Sequence, residues 1–179
     1  LQYPDAILAQ NELYRQRYLA LGAPEERLQA AGNLKYDFQP GEPSPEVVAL
    51  LRRLEPSAVW VAASTMPPAA PGDPDEDELV VDTFLQLNQP RLLLLLAPRR
   101  PERFASAAQL LARRGVSFLR RSELTADSRL DLPGCLLLDS IGELAALFSV
   151  ADAVFMGGTL VDRGGHNRSE EHTSELHSR

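Results

Sequence analysis

The sequence predicts an α/β fold: a Rossmann-like parallel sheet with helices on both faces. The stretch "RLLLLLA" at residues 91–97 is apolar at every position after Arg91. A strand reads that way when both its faces are buried, as in a parallel sheet between helical layers. Extended and helical patterns then alternate from "AVWVAAS" to "AVFMGG", which is the signature of strand–helix–strand units. Glycine, proline and acidic clusters fall between these patterns, where chain reversals and helix starts belong.

The elements follow in order. "DAILAQ" reads as a short buried strand. "NELYRQRYLALG" reads as a helix capped by Asn11, with Tyr14, Tyr18 and Leu21 on one face and Gly22 at its end. "LQAAGNLKYDF" is a second short extended segment, and "QPGEPSPE" is a linker rich in proline and glycine. "EVVALLRRL" is a short helix and "AVWVAAS" a strand. The loop "TMPPAAPGDPDEDE" runs into a helix, "ELVVDTFLQL", whose acidic start suits the partial positive charge of exposed N–H groups. After the leucine strand, "PERFASAAQLLARRG" places Phe104, Ala107, Ala108 and Leu111 on one helical face, with Pro101 near its start and Gly115 at its end. "VSFLRR" and "CLLLD" are strands, with residues 122–133 a loop between them. "SIGELAALFSVAD" is a helix over residues 141–149, and "AVFMGG" is the last strand.

Composition bounds the function. The 179 residues are 44% hydrophobic and carry a net charge of -7, which argues against general nucleic-acid binding, since that needs a basic face. A single cysteine, Cys135, leaves no internal disulfide to form. The longest apolar run, residues 92–97, falls far short of the roughly 20 residues of a membrane helix. Leu1 is not an initiator residue, so the expectation is a chain that begins within a longer protein.

Ligands of open parallel sheets bind beyond the carboxyl ends of the strands. Three stretches lie there: "APRRPERF", "DSIGEL" and "GGTLVDRGGHN". Each offers arginines, a helix start or glycine-rich backbone to an anion, and together they point to a phosphate or nucleotide site. Each also has a plainer reading. Arg99, Arg100 and Arg103 fit solvated charges equally well. Ser140 and Glu143 form the S-x-x-E pattern of a capping box. The glycines at 157, 158, 164 and 165 fit tight turns, and His166 fits a hydrogen-bonded structural group. Ser64 and Thr65 fit either a cap or a ligand contact. No Cys/His cluster supports zinc, and no Ser/His/Asp set is evident.

The blocks "GNLKYD", "VWVAAST", "LLAPRRPERF" and "DSIGELAALFSVADAVFMGGTLVDRGGHN" resemble, in order and spacing, the C-terminal half of 3-deoxy-D-manno-octulosonic acid (Kdo) transferase, over roughly residues 31–167. The upstream "DAILAQNELYRQRYLALGA" fits as well. The resemblance implies the C-terminal domain of a GT-B glycosyltransferase. That family moves Kdo from CMP-Kdo to the lipid A precursor (lipid IVA), with inversion, in lipopolysaccharide core biosynthesis. It implies residues 1–39 as the end of an N-terminal domain and interdomain crossing, and residues 40–167 as a truncated CMP-Kdo binding domain. It implies CMP contacts at Pro98 and Arg99, at Ile141, Gly142 and Glu143, and from Asn167 onward. Ser64, Thr65, Gly164, Gly165 and His166 fall in a possible donor-site loop. On that basis Arg99 neutralises phosphate and Glu143 takes ribose hydroxyls, a role that competes with capping for the same carboxylate.

The catalytic base, the membrane-associating segment and acceptor binding are implied in a preceding domain, so no catalytic residue is assigned in this chain and the chain alone is expected to be inactive. The resemblance implies no cofactor, no metal and no nucleic-acid partner. It implies a full-length protein at the cytoplasmic face of the bacterial inner membrane, with this portion soluble. The family usually has histidine where this chain has Met66 and Arg100, which touches the details of donor contact. Residues 168–179, "RSEEHTSELHSR", resemble the translation of a common sequencing adapter and are read as a non-native tail. Two alternatives stay open: another GT-B nucleotide-sugar enzyme such as a UDP-sugar epimerase, or a non-catalytic nucleotide-binding module.

Overall fold

The structure is a computed structural model that describes residues 4–32 and 41–160. These residues form two compact units, one within residues 1–39 and the other within residues 40–179.

The first unit is small. Strands β1 (Ile7–Ala9) and β2 (Leu28–Ala30) pair in parallel, joined through helix α1 (Glu12–Ala20). Asn11 caps α1 as expected, its side-chain oxygen accepting the Tyr14 N–H at 3.0 Å. Two expectations need correction here. Of "DAILAQ", only three residues are strand and only Ala9 among them is buried. No residue of α1 is buried, and Leu21 is 73% exposed, so Tyr14, Tyr18 and Leu21 do not form a packed face. Among the described residues of this unit, few apolar side chains are placed to cover a full helical stripe. Its core is Ala9, Ala23 and Leu28, with Ile7, Tyr18 and Leu19 against them.

The second unit is a five-stranded parallel sheet. Its strands are β3 (Ala58–Thr65), β4 (Leu92–Pro98), β5 (Ser117–Arg120), β6 (Gly134–Leu137) and β7 (Ala153–Met156), in the order β5-β6-β4-β3-β7. All seven residues of β4 are buried, as its unbroken apolarity predicts. Successive side chains alternate between two cores. Leu92, Leu94 and Leu96 pack with α3 (Glu76–Leu87) and α4 (Phe104–Arg113) on one face. Leu93, Leu95 and Ala97 pack on the other face with α2 (Pro45–Leu54), with Leu147 of α5 (Leu144–Leu147) and with Leu124 and Leu130. Each leucine fully withdrawn from water contributes about 2 kcal/mol, so this strand anchors both layers. The α/β parallel sheet with helices on both faces is therefore as the sequence predicts.

Two further differences concern the connections. Of the loop expected over 122–133, the first two residues close a 3-10 turn at Arg121–Glu123, and the rest carries Leu124 and Leu130 into the core. The helix expected over 141–149 shrinks to four α-helical residues, followed by a 3-10 turn at Phe148–Val150. Gly142, at φ +92°, turns the backbone in a way that L side chains rarely adopt, and this delays the helix until Leu144. Among the described residues, no helix is long and apolar enough to cross a membrane.

Candidate functional site

The strands run parallel, so all five carboxyl ends lie along one edge of the sheet. In spatial order, that edge presents Arg120 and Arg121 at the end of β5, residues 138–143 after β6, Pro98 and Arg99 at β4, Thr65 and Met66 at β3, and Gly157 and Gly158 after β7. From β3 the chain steps to β4 through α3 on one face. It returns to the far side of β3, as β7, by way of α5 on the opposite face. This reversal makes the β3/β7 boundary a topological switch point, where ligands of such sheets bind.

The switch point is built around a buried carboxylate. Glu76, 2% exposed at the start of α3, accepts the Met66 N–H at 2.7 Å and the Gly158 N–H at 2.9 and 3.0 Å. It therefore ties the ends of β3 and β7 together. The approach is so close that a Cβ on Gly157 would lie 2.0 Å from the Ser64 carbonyl oxygen. Ser64 makes the room by a bulge: the β3–β4 register shifts between Ala63 and Thr65, and Ser64 sits at φ +52°. Non-glycine residues seldom take that conformation, and such positions concentrate at functional sites.

Beside it lies a second buried carboxylate. Asp77 accepts the Thr65 hydroxyl at 2.5 Å and Arg103 at 2.6 and 3.1 Å. Arg103 also reaches Asp75, the N-cap of α3, at 2.6 Å. Burial pushes Asp77 above the usual carboxylate range, against the pull of Thr65 and Arg103. Arg103 is thus a bracing group between α3 and the start of α4, not a solvated charge. Ser64 and Thr65 are buried, and the Thr65 hydroxyl is committed to Asp77.

Towards the other end of the edge, Pro98 is buried and Arg99 half-buried, with the Arg99 N–H on the Thr65 carbonyl at 3.0 Å. The β6 end is adjacent, since the Leu138 N–H bonds the Leu96 carbonyl at 2.8 Å. Ile141 is 64% exposed and Gly142 is exposed beside it. Glu143 is the N-terminal boundary residue of α5 but makes no capping hydrogen bond. Its carboxylate instead receives Arg121 at 2.6 and 3.0 Å and the Ser140 hydroxyl at 2.5 Å. The capping box expected from S-x-x-E is therefore not formed. Nor does a long helix point its first N–H groups at this edge. The helix start expected at residue 141 is not formed; what stands there is an exposed turn and an oriented carboxylate.

The structure thus brings Pro98–Arg99 and Ile141–Glu143 to neighbouring strand ends, with Ser64 and Thr65 one strand further on. Gly164, Gly165, His166, Asn167 and the tail 168–179 lie outside the described residues. The sequence alone does not single out Glu76, Asp77 or Arg121, and it leaves Arg103 equally readable as a solvated charge. The "EDE" run signalled a helix start, and the partners of these residues lie far away in the chain.

The chain is similar to several curated proteins. It is 38% identical over 168 residues to a 3-deoxy-D-manno-octulosonic acid transferase of Haemophilus influenzae, a match covering 92% of this chain and 37% of the relative. It is 33% identical over 176 residues to the enzyme of the same name from Chlamydia muridarum, covering 96% of this chain and 39% of the relative. The chain therefore spans under two-fifths of the length of these relatives. Among solved structures it matches the C-terminal CMP-Kdo binding domain of WaaA from Acinetobacter baumannii, with a TM-score of 0.50 and 26% identity, over 72% of this chain and 65% of that one. No protein-family model matches. The resemblance drawn from the sequence blocks holds along nine-tenths of the chain, and its fold is of the kind seen in the C-terminal domain of that glycosyltransferase.

Proposed function

We propose that this chain, similar to Kdo transferases over nine-tenths of its length, is the donor-binding half of an inverting glycosyltransferase that moves Kdo from CMP-Kdo to the lipid A precursor. One observation carries the reading. The chain shares sequence and fold with a CMP-Kdo binding domain, and its "APRRPERF" and "DSIGEL" stretches come to adjacent strand ends at the ligand-binding edge of the sheet.

The chemistry fits that role. CMP leaves as an anion, so the donor half serves the reaction mainly by stabilising negative charge as the bond breaks. Arg99 at the end of β4 is the group for that, with Pro98 fixing the turn that presents it. Ile141 and Gly142 offer an exposed turn to the nucleoside, and Glu143 a carboxylate to ribose hydroxyls. Asn167, with Gly164, Gly165 and His166, completes the donor loop beyond β7. On this reading the inverting base and acceptor binding lie in a part of the whole protein outside this chain, which spans 37% of one such relative. The whole protein then works at the cytoplasmic face of the inner membrane, and this chain alone binds donor without turning it over. No metal is required on this reading, since arginine supplies the positive charge.

Equilibrium titration with CMP and UMP tests the proposal. Tighter binding of CMP is expected. Tighter binding of UMP would move the assignment to a UDP-sugar enzyme, and transfer of Kdo by the isolated chain would refute the division of labour.

A further inference from the structure

We propose that Arg121, with Ser140, is a positioning residue that aims Glu143 at a single ribose hydroxyl of the nucleotide. The inference rests on the donor-binding reading above and adds to it a residue and a specificity.

A carboxylate offers about four acceptor sites, two on each oxygen. In Glu143, Oε1 receives both Nε of Arg121 at 3.0 Å and Nη2 at 2.6 Å. Oε2 receives the Ser140 hydroxyl at 2.5 Å. Three of the four sites are filled, and one on Oε2 is left. A carboxylate free to rotate would take both hydroxyls of a ribose diol, one on each oxygen. This one takes a single hydroxyl while its present contacts last.

The anchor is itself held. Arg121 follows edge strand β5, and its side chain is 16% exposed. Nη2 also donates to the Ser44 hydroxyl at 3.0 Å and lies 3.7 Å from Glu46, both at the start of α2. The guanidinium therefore links three separate segments of the unit: the end of β5, the start of α2 and the turn before α5. A planar fork gripped on two sides has little freedom to turn, and the carboxylate on it inherits that restriction. Glu143 remains 29% exposed, so its unfilled site is open to a ligand. The edge therefore presents a directional acceptor beside the exposed Ile141–Gly142 turn.

Comparing CMP with 2'-deoxy-CMP and 3'-deoxy-CMP tests this. One deoxy analogue should bind about tenfold more weakly or worse than CMP, the size of a hydrogen bond to a charged group, and the other nearly as well as CMP. In Arg121→Ala and Arg121→Lys that preference should shrink to about twofold. Ser44→Ala and Glu46→Gln, which loosen the α2 side of the guanidinium but leave both of its bonds to Glu143, should lower the preference less than the Arg121 variants do. A loss of stability common to all four variants would lower every affinity together and leave the ratio unmoved, so the ratio reports positioning and not folding. If Arg121→Ala does not fold, Arg121→Lys and Ser140→Ala carry the test. Equal discrimination in wild type and Arg121 variants, or equal losses for both deoxy analogues in wild type, would overturn the proposal while leaving donor binding intact. A chain that binds no CMP would overturn both.

Discussion

Glu76 is almost fully buried, and both backbone groups it accepts from belong to the ends of strands, one to β3 and one to β7. Replacing it with alanine leaves the Met66 and Gly158 N–H groups without their acceptor in a closed space. Glu76→Ala should destabilise the unit by about 3 kcal/mol, and Glu76→Gln, which keeps a carbonyl oxygen, by roughly half that. Chemical denaturation reads both, and equal losses would contradict the acceptor role. Asp77 makes a different prediction. Burial raises it despite Thr65 and Arg103, so its charged form is disfavoured in the folded state. A carboxyl raised on folding gives up stability as pH climbs from its unfolded value, about 3.9, through the raised folded one. Asp77→Asn mimics the protonated group. The stability of wild type minus that of Asp77→Asn should therefore fall between pH 4 and pH 7. A difference that grows over that range would mean that the Arg103 pair outweighs burial.

At the scale of elements, legibility followed the range of the forces. The β4 strand, the α4 face and the Asn11 cap were readable because each depends on neighbours a few residues away. The length of α5 was not: the apolar pattern runs on through residue 150, and only the backbone turn at Gly142 decides where the helix begins. The pairing of Glu143 with Arg121 was unreadable for the same reason, being 22 residues apart and set by the neighbouring positions of β5 and β6. In the sequence the glycines after β7 fit turn formers. For Gly157 the structure supplies another reason, since any Cβ there would strike the Ser64 backbone and Glu76. Gly157→Ala should destabilise by at least about 3 kcal/mol, above the usual range for overpacking, because backbone rather than a pliable side chain is in the way. Thermal unfolding checks it, and a change under about 1 kcal/mol would show that β3 and β7 separate more readily than their hydrogen bonds suggest.

The fold of the larger unit was legible as a whole because apolar runs and their punctuation specify a parallel sheet, and a parallel sheet specifies where its ligand edge lies. Within that edge, Pro98 and Arg99 and the turn Ile141–Glu143 come at the ends of adjacent strands, while the bracing groups beneath them emerge only in three dimensions. That division separates two arginines that look alike in "PRRPERF". Arg103 is spent on Asp75 and Asp77, so Arg103→Ala should lower stability more than nucleotide affinity. Arg99→Ala should weaken CMP binding about ten- to a hundredfold, the loss expected of a charge-assisted hydrogen bond. Mapping backbone amide shifts during a CMP titration tests donor binding at this edge most directly. Shifts at residues 99–100 and 141–143, larger for CMP than for UMP and abolished at the same concentrations by Arg99→Ala, are the predicted result. Shifts confined to other parts of the chain, or a stronger response to UMP at these same residues, would contradict it.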